Sequence, residues 1–205
     1  MTVKTNKRQD RFGLWLTIGV VVGLALIAVV VMGEGGDDPN SEVDGPVVLE
    51  KTLDLGTAVA IGDQIAEIES IGFDEQAVSI SPDDGRAKFV IFVAHWCPHC
   101  QSEVPRLVEW LRDGKKPDDL DVYMVSTFVD GTRQNFPPQA WLADEGVFDE
   151  DITVLLDTSK SEIADNFGLN TVPSLALVTA DGALIQREST LLSGKVLDEL
   201  AARIT

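Results

Sequence analysis

The chain has 205 residues, 34 of them acidic against 16 basic, for a formal net charge of −18. That length suits one domain of about 150 residues with appendages, and so acidic a chain argues against nucleic acid as a partner. Only two cysteines and two histidines are present, which leaves no second ligand pair to close a structural zinc site.

At the N-terminus, Lys4, Lys7, Arg8 and Arg11 stand against a single acid, Asp10, and residues 1–11 read as a basic cytoplasmic tail. Phe12 to Gly33 then carries no charge. At about 1.5 Å per residue this run reaches roughly 33 Å, enough to cross a bilayer core. Trp15 stands near its start, where an interfacial aromatic is expected. A buried core helix is rarely apolar on every face for so long. A cleaved signal peptide is the stronger rival, but the run is long for one and ends Val30-Val31-Met32-Gly33, without a good small-x-small site. The expectation is an uncleaved transmembrane signal anchor over 12–33.

Basic residues before the span and Glu34, Asp37 and Asp38 after it orient the N-terminus to the cytoplasm. The chain then crosses the cytoplasmic (inner) membrane once, and the remainder lies on the extracytoplasmic side, where disulfides persist. Residues 34–46 are rich in Gly, Asp, Pro, Asn and Ser and read as an acidic flexible linker. The domain proper is expected over 47–205. From Glu34 onward 33 acids face 12 basic residues, which disfavours anionic lipid as a partner of the domain as well.

Val47-Val48-Leu49 and Val59-Ala60-Ile61 look like short strand pieces, and Ile65, Ile68 and Ile71 recur with mixed spacing. This N-terminal extension is expected to form a hairpin or edge strands. Asp83-Asp84-Gly85 signals a turn. The apolar run Phe89 to Val93 then reads as a buried strand leading into Ala94-His95-Trp96-Cys97-Pro98-His99-Cys100, which holds every cysteine and histidine of the chain.

A helical pattern from Gln101 to Leu111 follows, with Pro98 suited to a first helical position. A strand that delivers Cys-x-x-Cys to the first turn of a helix is a redox device. The helix start supplies unsatisfied N–H groups and about half a positive charge, which stabilise a thiolate on Cys97. Other uses of the motif remain open. His95, Cys97, His99 and Cys100 together have the donor set for copper, although His99 and Cys100 point apart on a helix. A purely structural disulfide would close almost no loop and stabilise little.

Further along, Pro105 lies inside the helix and is expected to kink it. Asp121 to Val129 reads as a second buried strand, Pro137 to Ala143 as a helix packed through Trp141 and Leu142, and Ile152 to Leu156 as a short strand. Ser161 to Phe167 forms a helix stopped by Gly168. Leu175 to Val178, the turn Asp181-Gly182 and Ala183 to Ile185 read as a hairpin. Lys195 to Ile204 closes the chain as an amphipathic helix with Val196, Leu197, Leu200 and Ile204 facing inward. Such alternation implies an α/β domain, a sheet with a parallel portion covered by helices on both faces.

These features resemble the TlpA/ResA branch of the thioredoxin superfamily, membrane-anchored extracytoplasmic proteins. The resemblance is carried by the anchor, by Trp96-Cys97-Pro98-His99-Cys100 with Glu103-x-Pro105, by the strand-helix segment from Val122 to Asp157, and by Phe167-Gly168-Leu169-x-x-Val172-Pro173 before an apolar strand. It implies a thioredoxin-like fold: a central mixed sheet flanked by helices, with an inserted strand-helix segment. It also implies a redox-active Cys97–Cys100 disulfide, with Cys97 as exposed nucleophile and Cys100 as resolving residue. Val172-Pro173 is then a cis peptide bond, and Trp96, Pro98, Val172 and Pro173 form the surface on which a partner's extended segment pairs.

Three departures stand out. Ile91 occupies the position where thioredoxins commonly carry a buried acid, so Cys100 must exchange its proton with water or with another acid. The dipeptide Pro98-His99 is the DsbA pairing, and His99 beside Cys97 favours the thiolate. A stabilised thiolate makes the disulfide a stronger oxidant, which tilts the expected activity towards disulfide formation. His95 is unusual before Trp-Cys and reads as a solvated rim histidine.

The expected partners are protein thiols and disulfides, plus a redox protein, itself membrane-bound in one reading, that recycles the pair. No cofactor or metal is expected, and the domain shows no sign of an interface beyond a monomer. The alternatives are a reductant of partner disulfides, as in cytochrome c maturation, and a non-enzymatic copper-binding module on the same scaffold.

Overall fold

The computed structural model describes residues 45–189 and 193–204. The expected tail and span over 1–33, and nearly all of the linker, lie outside the described residues. Among the described residues no helix is long and apolar enough to cross a membrane.

The centre of the domain is strand β3 (Ala87–Val93), buried along its whole length. A strand covered on both faces reads as a continuous apolar run, and its two faces feed two cores. Phe89, Ile91 and Val93 join the first, with Val104, Leu107, Trp110, Leu197 and Leu200, and Val90 and Phe92 join the second, with Ile163, Phe167, Ile68 and Ile80. Trp110 stacks on Phe89 at 6.2 Å between ring centroids, and Phe167 packs on Phe92 at 5.3 Å. Each fully buried aromatic or branched side chain contributes about 1.5–3 kcal/mol of transfer free energy.

Beside β3 lie β4 (Leu120–Ser126) and then β5 (Thr153–Leu156), both parallel to their neighbours. On the other side β6 (Ser174–Val178) runs antiparallel to β3, and β7 (Leu184–Glu188) antiparallel to β6. The order β5-β4-β3-β6-β7 is the mixed thioredoxin-like sheet. The β6–β7 turn needs Gly182, whose φ is +83°, because a Cβ there would meet Pro82 at 2.7 Å.

Helix α1 (Pro98–Arg112) follows β3, and α2 (Pro138–Asp144) with a short 3-10 turn (Val147–Asp149) joins β4 to β5. Trp141 and Leu142 are α2's packing residues, as expected. Helix α3 (Glu162–Asn166) is started by Asp157, whose carboxylate accepts from the amides of Thr158, Ile163 and Ala164 and from the Thr127 hydroxyl. Helix α4 (Gly194–Ala201) lies against α1 through Leu197 and Leu200 and ends three residues before the expected Ile204. Pro105 lies inside α1 without interrupting it.

The N-terminal extension contains the expected hairpin. It is formed by β1 (Ile68–Ile71) and β2 (Ala77–Ile80), paired antiparallel in a sheet of their own. Val47 to Leu49 contributes one parallel bridge, Leu49 to Thr158. Val59 to Ile61 forms no strand, because the Val59 amide bonds the Asn166 carbonyl of α3 instead of a strand partner.

Candidate functional site

At the end of β3 the chain turns through Ala94-His95-Trp96, and the Cys97 amide closes the turn on the Ala94 carbonyl at 3.0 Å. Cys97 is the N-cap of α1, and Pro98 takes the first helical position, where its missing N–H costs nothing. The Cys97 sulfur accepts from the Cys100 amide at 3.4 Å. It also lies 3.3 Å from the Val172 carbonyl, to which its thiol donates.

Both cysteines are free thiols and both are buried, Cys97 at 4% exposure and Cys100 at 0%. Cys97 is therefore less open than its place at a helix start suggests, with the Val172 carbonyl against its sulfur. Burial pushes the Cys100 thiol up, and the neighbouring Cys97 adds to the effect. Cys100 thus keeps its proton until something takes it.

The Val172–Pro173 peptide is cis, as the resemblance implies. It borders an open groove of about 770 Å³ flanked by His99, Arg106, Ser193 and Val196. Pro98 and His99 are exposed. Among the described residues the His99 ring makes no hydrogen bond to Cys97. It borders the groove instead.

Ile91 is fully buried and belongs to the same core cluster as Cys97 and Cys100, so an apolar side chain fills the place of the thioredoxin acid. A different acid is close by. Glu103, one helical turn after Cys100 on the same face of α1, is fully buried. Its Oε1 accepts from Arg106 at 2.5 Å, while Oε2 has no hydrogen-bond partner among the described residues. In the sequence Glu103 stands out only in the Glu103-x-Pro105 motif, and its i+3 spacing from Cys100 is the signal that puts it on the cysteine's face of the helix.

His95 is not a solvated rim residue. It is 1% exposed, with its Nδ1 2.8 Å from the Gln134 carbonyl and its Nε2 accepting from the Asp130 amide at 3.3 Å. Desolvation by burial holds its imidazole below the ordinary value. Trp96 is tied to the same loop. Its indole N–H donates to the Phe128 carbonyl at 2.7 Å, and the Arg133 guanidinium lies 4.4 Å from the centre of its ring. With both ring nitrogens engaged, His95 is not free to join the cysteines as a copper ligand. Among the described residues no cluster of three metal-binding side chains occurs.

The Redoxin family model matches residues 60–197. Tryparedoxin from Trypanosoma brucei brucei is 31% identical over 111 residues, which cover 53% of this chain and 72% of that protein. The structure of MTB DsbF in its mixed oxidized and reduced forms superposes with a TM-score of 0.56 at 21% identity, covering 67% of this chain and 95% of that one. A thiol:disulfide interchange protein of the thioredoxin family from Chlorobium tepidum gives a TM-score of 0.54 at 19% identity, over 72% and 99% of the two chains. At these identities the solved structures speak for the fold alone. A thioredoxin-like fold that brings a reactive cysteine pair to the start of a helix is a thiol-disulfide oxidoreductase, and the chain belongs to the Redoxin family.

Proposed function

We propose that the domain is a TlpA/ResA-like reductant of disulfides in partner proteins, held by its N-terminal anchor on the extracytoplasmic side of the cytoplasmic membrane. The Pro98-His99 dipeptide tilts the sequence towards oxidation, and that tilt requires a strongly stabilised Cys97 thiolate. The observation that carries the opposite reading is the Val172 carbonyl 3.3 Å from the Cys97 sulfur. A carbonyl accepts from an S–H, so this contact serves the dithiol form of the pair. Among the described residues only one amide, that of Cys100 at 3.4 Å, donates to the sulfur. A pair whose reduced form is held as a dithiol in this way serves as a reductant rather than as a strong oxidant. The likenesses to tryparedoxin and to an interchange protein support exchange with thiols and disulfides as the class of reaction.

In this reading the Cys97 thiolate attacks a partner disulfide, and one partner thiolate leaves. Cys100 then gives up its proton and attacks the Cys97 sulfur of the mixed disulfide. The second partner thiolate departs, and the Cys97–Cys100 disulfide remains for a recycling redox protein to reduce. With Ile91 unable to move a proton, Glu103 is the group one turn away that takes it from Cys100. Trp96, Pro98, Val172 and Pro173 border the approach of the partner's backbone, and His99 lines the adjoining groove.

The test is the reduction potential of the full-length protein, equilibrated in glutathione and dithiothreitol buffers. A value near about −270 mV, that of thioredoxin, is expected, and one near about −120 mV, that of DsbA, would return the protein to the oxidants. Failure to exchange at all, with bound copper in the reduced protein, would favour the binding module.

A further inference from the structure

The side chain that ties the active-site turn to the rest of the rim is His95, which the exchange reaction itself does not use. Its two nitrogens face opposite kinds of group. Nδ1 meets a carbonyl, that of Gln134, and so must carry a hydrogen. Nε2 meets an N–H, that of Asp130, and so must not. Only the neutral Nδ1–H tautomer satisfies both. An imidazolium would set an N–H against an N–H and lose the Asp130 tie.

The loop held in this way forms one wall of the site. Asn135 donates to the His95 carbonyl at 3.2 Å, and Gln101 of α1 donates to the same oxygen at 3.1 Å. Phe136 packs edge-on against the imidazole at 5.8 Å. Phe128 and Asn135 both adopt positive φ, 50° and 58°, a conformation that Phe in particular holds only where its surroundings impose it. From this loop Arg133 reaches over Trp96, the residue before Cys97. Two charged groups face the ring: Asp130 favours its protonated form, and Arg133 opposes it. Burial, the largest influence, acts with Arg133 and outweighs Asp130, so the imidazole is held below its ordinary value.

We propose that His95 is a positioning residue, a neutral clamp that holds residues 128–137 against the active-site turn and so builds the Trp96–Arg133 wall on which a protein partner docks. Protonating His95 releases that wall. This rests on the reading that Cys97 exchanges with protein disulfides. A small disulfide reaches the sulfur without using the wall, so it does not sense the clamp.

The experiment compares the full-length protein's exchange rate with insulin and with hydroxyethyl disulfide between about pH 5 and 8. A loss common to both disulfides as the pH drops belongs to the exchange step itself. The proposal expects a further loss, about fivefold, for insulin alone as His95 takes up a proton. His95→Gln, which keeps an acceptor for the Asp130 amide and does not titrate, is expected to retain the neutral-pH insulin rate within about twofold and to lack the extra acid limb. His95→Ala is expected to slow insulin about fivefold at neutral pH while leaving hydroxyethyl disulfide within about twofold. If His95→Ala does not fold, the wild type and His95→Gln carry the test between them. Identical acid limbs for the two substrates in the wild type, or an extra limb that survives in His95→Gln, overturns the clamp alone. Exchange with neither substrate overturns the oxidoreductase reading, and the clamp with it.

Discussion

Two charged side chains are completely buried near β3, one at each end, and they are treated in opposite ways. At the entry, the Lys88 ammonium donates to Asp84 Oδ1 at 2.5 Å and to the Arg86 carbonyl at 2.6 Å. Beyond the exit, Glu103 has one oxygen paired with Arg106 and the other without a partner among the described residues. A buried charge whose hydrogen bonds are satisfied is part of the architecture. A buried polar atom left unsatisfied costs stability, and it stands one turn from the thiol that must lose a proton. One end of the sheet therefore holds the chemistry. It is the carboxyl end of the parallel strands, where helix starts and loops converge.

The largest expected effect is at the exit. Cys97→Ser should abolish exchange with insulin, a loss of at least about 1000-fold, because a hydroxyl is not a usable nucleophile towards sulfur. Its urea unfolding midpoint should barely move. At the entry the pattern should reverse. Lys88→Met should cost about 2 kcal/mol in urea unfolding, less than for a fully buried pair because Asp84 is 31% exposed. Its exchange rate should stay within about twofold, and a large loss of rate would erase the distinction between the two ends. Glu103→Gln sharpens it further. Resolution of the Cys97 mixed disulfide should slow about tenfold while the first attack does not. A normal resolution rate would return Glu103 to a structural role.

The smallest effect is a pH dependence of stability. Burial depresses His95 in the folded chain, so between its ordinary value of 6.5 and the lower folded value only the unfolded chain binds the proton. Its contribution is therefore whole above about pH 6.5 and is lost as the pH falls through the folded value. Chemical denaturation from pH 7.5 to 5 should show this loss, with a flatter profile in His95→Gln.

Much of the framework was legible because it is local. The run Phe89 to Val93, the Cys97-Pro98 helix start and the Asp181-Gly182 turn each announce themselves within a few residues, and the structure agrees at all three. What stayed hidden depends on distant partners. His95 is bound by residues 35 and 39 positions away, so its own sequence neighbours give no sign of its burial. The hairpin of the extension was legible only in outline: its strands pair Ile68–Ile71 with Ala77–Ile80, while Val59, which reads as a strand piece, finds its partner on α3. Glu103 looks like any acid on a solvated helix face until the fold closes over it. The expected anchor over 12–33 lies outside the described residues.

The near-complete cover over the Cys97 sulfur has a consequence for the compartment in which the protein is proposed to work. Peroxide and other small oxidants attack thiolates in proportion to their exposure, and at 4% this residue offers them little surface. A buried pair of this kind acts as an insulated contact. Under the proposed reductant role it would lose few electrons to stray oxidants and give them up to a partner seated in the groove beside Pro173.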